Sequence, residues 1–372
     1  MNIFEQIQKP TLLLDEEIAK NNLHRMSQRV KAAGVRFRPH FKTHQSAQIG
    51  EWFRAEGVTA ITVSSLDMAI YFSQYGWQDI TLAFPVNLRQ IDTINHLAAR
   101  MHFGILVESP ETVLFLREHL SAPVDVWIKV DTGNGRTGIA WDHLAAFRQL
   151  ASLITSCQNL HFKGLLTHAG QSYRASSKED ICHIYQESIN RINHSRDELA
   201  AMGFGPLQVS VGDTPGASLC NPGRVYELRP GNFIFYDTQQ VQIGACQDED
   251  IAVAVACPVV ALHPERNEVV LYGGAIHLSS DFLTEDGHRV YGRVALPQEN
   301  RWGKPLPGAY VRGLSQEHGV AHLEAGDIQR IQVGELLCIL PAHSCLTAHN
   351  MQEYLTLDGK RIHTMNRPSS GN

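Results

Sequence analysis

Two rhythms of apolar residues alternate along the first two thirds of the chain. Short runs rich in Val, Ile and Leu, at 35–41, 59–64, 79–84, 102–107, 124–130, 161–167, 207–211 and 224–229, have the length and composition of strands. Stretches between most of them, such as 87–100, 110–119, 141–155 and 177–202, space their apolar positions as helices do. Pro110 and Ser177 read as helix starts. Upstream, Thr11-Leu12-Leu13-Leu14 predicts a short strand. Asp15 caps a helix through Arg29, with Ile18, Leu23, Met26 and Val30 at helical spacing. About eight strand–helix units predict an α/β fold, a (β/α)8 TIM-like barrel. An open doubly wound sheet competes, but no GxGxxG follows an early strand to favour it.

After Tyr236-Asp237 the rhythm changes. Runs at 251–261, 267–275, 289–296, 309–313, 328–332 and 335–340 are short and β-branched or apolar, and Pro/Gly clusters such as Pro305-Leu306-Pro307-Gly308 separate them. This predicts a β-rich C-terminal domain, with a barrel over 11–240 and the β domain over 245–365. Asp358-Gly359 reads as a late turn, and Arg367-Pro368-Ser369-Ser370-Gly371-Asn372 as a loose tail.

Composition narrows the class. With 372 residues, 43% hydrophobic and 19% charged, the chain is an ordinary globular protein, too long for one small core. A formal charge of −6 argues against a nucleic-acid or membrane-surface partner. No apolar run would span a bilayer, and Met1-Asn2-Ile3-Phe4-Glu5-Gln6 lacks the regions of a signal peptide. The seven scattered cysteines, without CxxC, predict reduced thiols in a cytoplasmic protein.

Barrel active sites lie at the carboxyl ends of the strands. Lys42 follows the first strand, and a helix is expected to open at Thr43 as N-cap. A strand-end lysine suits a Schiff base, because its amine is held rigidly and its pKa responds to cationic neighbours, here Arg38, His40 and His44. A surface lysine after an edge strand is the bland alternative. Asp131-Thr132-Gly133-Asn134-Gly135-Arg136 follows the fifth strand, and Thr167-His168-Ala169-Gly170 the sixth. Gly212-Asp213-Thr214-Pro215-Gly216 follows the seventh, and Arg229-Pro230-Gly231-Asn232 the eighth. Taken singly, these glycines also fit plain turns, Arg136 a solvated loop and His168 a structural histidine. Together, Gly-rich turns after strands seven and eight form the usual phosphate site of this fold. A lysine, cations and a phosphate cradle around one mouth point to pyridoxal 5'-phosphate.

At these residues the chain resembles a known family. Lys129-Val130-Asp131-Thr132-Gly133…Arg136 and Arg229-Pro230-Gly231 look like stretches of alanine racemase and other fold-type III pyridoxal-phosphate enzymes. Arg38-Pro39-His40-Phe41-Lys42-Thr43-His44 resembles the lysine motif of the D-threonine aldolase and metal-dependent D-serine dehydratase branch. Thr167-His168-Ala169-Gly170-Gln171-Ser172-Tyr173, Leu314-Ser315-Gln316-Glu317-His318-Gly319 and Pro341-Ala342-His343-Ser344-Cys345 are similar to that branch too. The resemblance implies that Lys42 carries the cofactor and moves the α-proton. It implies that Arg136 lies near the ring hydroxyl, that His168 packs on the ring and that Arg229 faces the ring nitrogen. Thr214, Gly231 and Asn232 would hold the phosphate, with Tyr173 nearby. An arginine at the ring nitrogen would disfavour a protonated pyridine and weaken the electron sink, so that the leaving group needs help. Two positions depart from the pattern: Gln45 stands where many relatives carry a second lysine, and Gly216 where relatives often carry a hydroxyl residue.

His343 and Cys345 are one residue apart, so an extended segment would put both side chains on one face. Alone, such a pair is more often structural. The branch places a divalent metal beside the cofactor, and an imidazole with a thiolate suits zinc. The resemblance then implies a dehydratase acting on a D-β-hydroxy amino acid such as D-serine, as a homodimer. Aldolase members pair His with Asp instead, so a retro-aldol lyase is the alternative. A non-catalytic pyridoxal-phosphate homeostasis protein is another, which the added β domain and the His-x-Cys pair disfavour.

Overall fold

A computed structural model describes residues 3–299 and 301–365. The tail Arg367–Asn372 lies outside the described residues. Strand β1 (Thr11–Leu14) and helix α1 (Glu16–Ala32) come first, and Asp15 caps α1 by accepting the Ile18 N–H at 3.1 Å. Then come β2 (Arg36–Phe37), α2 (Ala47–Ala55), β3 (Ile61–Val63), α3 (Leu66–Gln74), β4 (Asp79–Pro85), α4 (Ile91–Ala98), β5 (His102–Val107) and α5 (Pro110–His119). They lead to β6 (Val124–Asp131), β7 (Ile139–Ala140), α6 (Leu144–Thr155), β8 (Leu160–Thr167), α7 (Lys178–Ala201), β9 (Gln208–Val211), α8 (Thr214–Leu219) and β10 (Glu227–Leu228).

Eight of these strands form one parallel sheet in the order β2-β10-β9-β8-β6-β5-β4-β3, with β7 appended to β6. A parallel bridge between His40 and Thr62 joins the continuation of β2 to β3 and closes the ring. The predicted barrel is therefore present, built on the eight apolar runs read from the sequence. Their near-continuous Val/Ile/Leu character follows from burial on both faces, as in β6, where every residue from Val124 to Val130 is buried. Pro110 sits at the start of α5, and Ser177 caps α7 by accepting the Asp180 N–H.

The amino ends of the strands carry an ion cluster. His102 lies 2.5 Å from Asp125 and 3.3 Å from Asp79, and Arg36 pairs with Asp79 at 2.6 Å. Hydrogen bonds to Asp125 and then Asp79 push the His102 pKa up to about 9. A raised histidine stabilises the fold fully below its unfolded value, and the contribution is lost as pH rises through the folded one. The denaturation midpoint should therefore fall toward that of His102→Ala between about pH 6.5 and 9. Parallel pH profiles for the two proteins would contradict this role.

The second sheet is built from β1 with β11 (Val253–His263), β12 (Glu268–Tyr272), β15 (Gly292–Pro297), β16 (Trp302–Leu314), β17 (His318–His322), β18 (Leu336–Pro341), β19 (Glu353–Thr356) and β20 (Arg361–His363). Strands β13 (Leu283–Glu285) and β14 (His288–Val290) form a separate hairpin. Strand β11 pairs with both β18 and β12, so β11-β12-β17-β16-β15-β18 closes as an antiparallel barrel. Short helices α9 (Thr238–Gln242), α10 (Ala275–Leu278), α11 (Ala325–Ile328) and α12 (Ser344–Met351) decorate it. The turn at Asp358-Gly359 joins β19 to β20, with Gly359 at φ +87°.

The two compact units interleave along the sequence. One compact unit takes residues up to His24, Thr43–Trp52 and Asn232 onward; the other takes Arg25–Lys42 and Phe53–Gly231. Accordingly β1 belongs to the antiparallel sheet, pairing Thr11–Leu14 with Ala256–Val253. A strand of three leucines is apolar on both faces and suits either sheet. Several expectations are corrected. The run at 328–332 begins inside α11, a helical turn. Thr43 caps nothing: it is buried in a turn, and α2 starts at Ala47. The expectation of reduced thiols fails at Cys182 on α7 and Cys220 at the end of α8. These two form a disulfide, with Cα atoms 5.3 Å apart. Only the packing of α7 on α8 brings the two together across 38 residues.

Candidate active site

At the barrel mouth, Lys42 is exposed and extends from a fixed backbone. The Phe41 N–H donates to the Thr62 carbonyl at 2.9 Å. The Phe41 ring is fully buried, with its centroid within 5.0 Å of those of Phe53, Phe72 and Trp77. The neighbours chosen from sequence act differently than expected. Arg38 is buried with its guanidinium on Glu227 and Asp79, and His44 is neutral because burial holds its pKa near 3. His40 accepts the Lys42 N–H at 3.3 Å. The histidine whose charge Lys42 influences is His168: burial first, then the Lys42 ammonium, drive its pKa well down. His168 is thus a neutral imidazole, anchored through Nδ1 to the Gly212 carbonyl, 6.0 Å from the Tyr173 ring.

After β9, Asp213 caps α8 by accepting the Gly216 N–H at 2.7 Å and the Ser172 hydroxyl at 3.0 Å. Burial pushes its pKa up to about 6. The Thr214 N–H donates to the Tyr173 hydroxyl at 3.3 Å, while Thr214 Oγ1 is buried without a protein partner. An orphaned hydroxyl at a strand-end turn is what an anion would satisfy. Gly216 is explained by packing: a Cβ there would come within 2.1 Å of the Tyr185 ring. The Tyr185 ring thus leaves no room for a hydroxyl residue at this position.

After β10, Arg229 is buried, donating to the Ser210 hydroxyl at 2.7 Å and the Thr167 carbonyl at 2.5 Å. Burial lowers its pKa to about 10, so it stays charged at neutral pH. Gly231 follows, ahead of the turn Asn232–Ile234. Arg136 is exposed on a loop that Asp131 organises by accepting the N–H groups of Gly133, Asn134 and Gly135 within 3.1 Å. Sequence reading passed over Lys129 as a chemical group. It is buried in β6, and burial followed by the Arg229 charge lowers its pKa to about 7. The signal was present: a lysine interrupts the apolar run Val126–Val130.

In the other compact unit, His343 precedes α12 and Cys345 lies in its first turn, so the extended segment expected there is replaced by a helix start. The two side chains nevertheless meet, with His343 held as the extended N-cap residue ahead of the helix. His343 Nδ1 lies 2.5 Å from Asp281 Oδ2, and the ring also hydrogen-bonds Cys345. Burial would lower the His343 pKa, but Asp281 and Cys345 push it up to about 11. Cys345 Sγ lies 3.3 Å from Thr43 Oγ1 and 3.5 Å from Asn232 Nδ2. The Asn232 side-chain amide donates to Asp237 at 2.7 Å and to Ser344 at 2.9 Å. Asp237 also accepts the Ser344 N–H at 3.0 Å, which holds the turn. A carboxylate behind an imidazole that faces a thiol is the arrangement of metal-binding histidines. Among the described residues no group of three His, Cys, Asp or Glu side chains converges, so protein ligands alone would not close a coordination shell. Asp281 carried no sequence signal. A cavity of about 300 Å³ lined by Gln239, Asp281, Phe282 and His343 adjoins this cluster.

Comparison with known proteins agrees with both halves. Residues 14–239 match the family described as Alanine racemase, N-terminal domain, and residues 252–357 match a serine dehydratase domain. The chain is 29% identical to a D-serine dehydratase of Dictyostelium discoideum, over 93% of this chain and 92% of that one. It is 30% identical to the D-threo-3-hydroxyaspartate dehydratase of Delftia sp. (strain HT23), over 94% and 93% respectively. The solved structure of the Delftia enzyme superposes with a TM-score of 0.89 at 28% identity, covering 98% of each chain. A cysteine-to-alanine variant of that enzyme in its metal-free form gives the same TM-score of 0.89, covering 98% of this chain and 99% of that one. With its parallel barrel matched to one domain and its antiparallel barrel to the other, the chain belongs to the alanine racemase-like family, in the branch of the D-amino acid dehydratases.

Proposed function

We propose that the chain is a pyridoxal-phosphate- and metal-dependent dehydratase. Its substrate would be a D-β-hydroxy amino acid such as D-serine, and its products a keto acid and ammonia. The observation that carries the reading is the set at the barrel mouth: a rigidly held Lys42, a neutral His168, a charged Arg229 and a buried Thr214 hydroxyl without a protein partner. These fit the cofactor. Lys42 Nζ would hold it, Thr214, Gly231 and Asn232 would take its phosphate, and Arg136 would approach the ring hydroxyl. Arg229 would face the ring nitrogen, and His168 would lie on the ring with Tyr173 nearby. The donor set of His343 and Cys345 likewise fits zinc, with positions left for non-protein ligands. When bound, the cofactor supplies an electron sink and the metal a Lewis acid for the departing hydroxyl.

The chain's own groups do the rest. Lys42 takes the α-proton at Nζ, from a position set by the buried Phe41. Burial holds the His168 pKa well down, so its imidazole is a weak base that does not compete for that proton. Asp281 holds the His343 imidazole through Nδ1, which leaves Nε2 as the ligand nitrogen. The His343-Ser344-Cys345 stretch resembles dehydratase members, whereas aldolase members pair His with Asp, and this supports elimination over retro-aldol cleavage. The names of the relatives support the same choice.

Among the described residues no helix is long and apolar enough to cross a membrane. We take the working form to be a homodimer, on the family resemblance, and keep the cytoplasmic setting expected from the sequence as part of this proposal. The test is keto-acid release from a panel of D-amino acids, with and without chelator. Release from D-serine or D-threo-3-hydroxyaspartate that chelator suppresses is the expected result. Aldehyde and glycine from D-threonine would favour the aldolase instead.

A further inference from the structure

A (β/α)8 barrel is ordinarily filled by layers of apolar side chains. This one carries a file of polar groups through its interior. Arg38 donates through Nε to Glu227 Oε2 at 2.8 Å and through Nη1 to Asp79 at 2.6 Å. The other Glu227 oxygen accepts the Ser210 hydroxyl at 2.8 Å. Ser210 in turn accepts Arg229 Nε–H at 2.7 Å. Arg38, Ser210, Glu227 and Arg229 are all buried, Ser210 and Glu227 completely. Arg229 directly follows β10 and its N–H continues the ladder to the Val211 carbonyl, so period-two geometry puts Glu227 and Arg229 on one face, and the register of β10 on β9 sets Glu227 beside Ser210.

The proton inventory fixes the direction of this file. A serine hydroxyl has one proton and lone pairs to accept with. Here its proton goes to Glu227, so its lone pairs are left facing the guanidinium. Glu227 therefore decides whether Ser210 can accept from Arg229. Burying two arginines and a glutamate is expensive, and an apolar filling of equal volume is often no less stable. The file is thus poorly explained by stability alone. It ends on Arg229.

We propose that Glu227 is a positioning residue of the active site: acting through Ser210, and itself held by Arg38, it orients the Arg229 guanidinium that faces the cofactor ring. This rests on the reading of Arg229 given above. The experiment uses the full chain reconstituted with pyridoxal phosphate, in four forms: wild type, Glu227→Gln, Ser210→Ala and Ser210→Thr. The readouts are the cofactor dissociation constant, the pH at which the bound cofactor's visible band titrates, and kcat and KM separately. Ser210→Ala should weaken cofactor binding about tenfold or more, the worth of one hydrogen bond to a charged group. It should also shift the titration and lower kcat with little change in KM. Glu227→Gln should do the same or more, and Ser210→Thr should restore all three readouts by returning the hydroxyl. Folded variants with wild-type affinity, titration and kcat overturn the proposal while leaving the reading of the site intact. Unfolding of both Glu227→Gln and Ser210→Ala overturns it in favour of a purely structural role. Failure of the wild type to bind pyridoxal phosphate overturns the reading of the site, and this inference with it.

Discussion

Lys42→Ala protein is expected to fold, to lose its yellow colour, and to lose activity by at least about a thousandfold. The size follows from two roles lost at once, since covalent attachment is removed and proton transfer alone is worth about 10²–10⁴. The fold should survive because Lys42 is exposed, while the anchors of its turn are the Phe41 ring and the Phe41 N–H bond to Thr62. The measurement is borohydride reduction of the reconstituted protein followed by peptide mapping. The cofactor should be fixed on the peptide containing Lys42 in wild type and on none in the variant. Labelling that persists in the variant would transfer the role to another amine. The buried Lys129, with its pKa lowered to about 7, is the first to examine.

Cys345→Ala should separate the two halves of the chemistry. Elimination should fall by about a thousandfold or more, because Lewis-acid help to the leaving hydroxyl is worth several kcal/mol and each 1.4 kcal/mol is tenfold. Metal content should drop well below one ion per chain, and the absorbance of the bound cofactor should be kept. His343→Ala should behave alike, and Asp281→Asn should weaken metal binding by about 10–100-fold through the imidazole it orients. Undiminished keto-acid release by Cys345→Ala would remove the metal from the mechanism. The thiol is buried against Thr43 and Asn232, so far-UV and near-UV circular dichroism should accompany each assay to show that the turn is kept.

The eight barrel strands were legible because a strand buried on both faces must be a short apolar run, and a run such as 102–107 has nothing else to become. The helix starts at Pro110 and Ser177 were legible because a cap acts on the next three residues alone. The strand-end positions of Lys42, His168 and Arg229 followed from the strand count. Other features were decided by neighbours far along the chain. Thr11–Leu14 went to the antiparallel sheet because Val253–Ala256 offered it a free edge, a fact absent from three leucines. Thr43 was drawn away from capping by burial, and its hydroxyl meets Cys345 some 302 residues later. Cys182 and Cys220 became a pair only when α7 packed on α8. The partner of His343 is Asp281, 62 residues earlier and without any motif. The file from Arg38 to Arg229 exists only because β10 lies beside β9 in one register. Local sequence determines period, caps and turns, since these depend on residues within a few positions. Which charged groups are desolvated, paired or left with an open hydrogen bond depends on who sits opposite, and that only the tertiary structure decides.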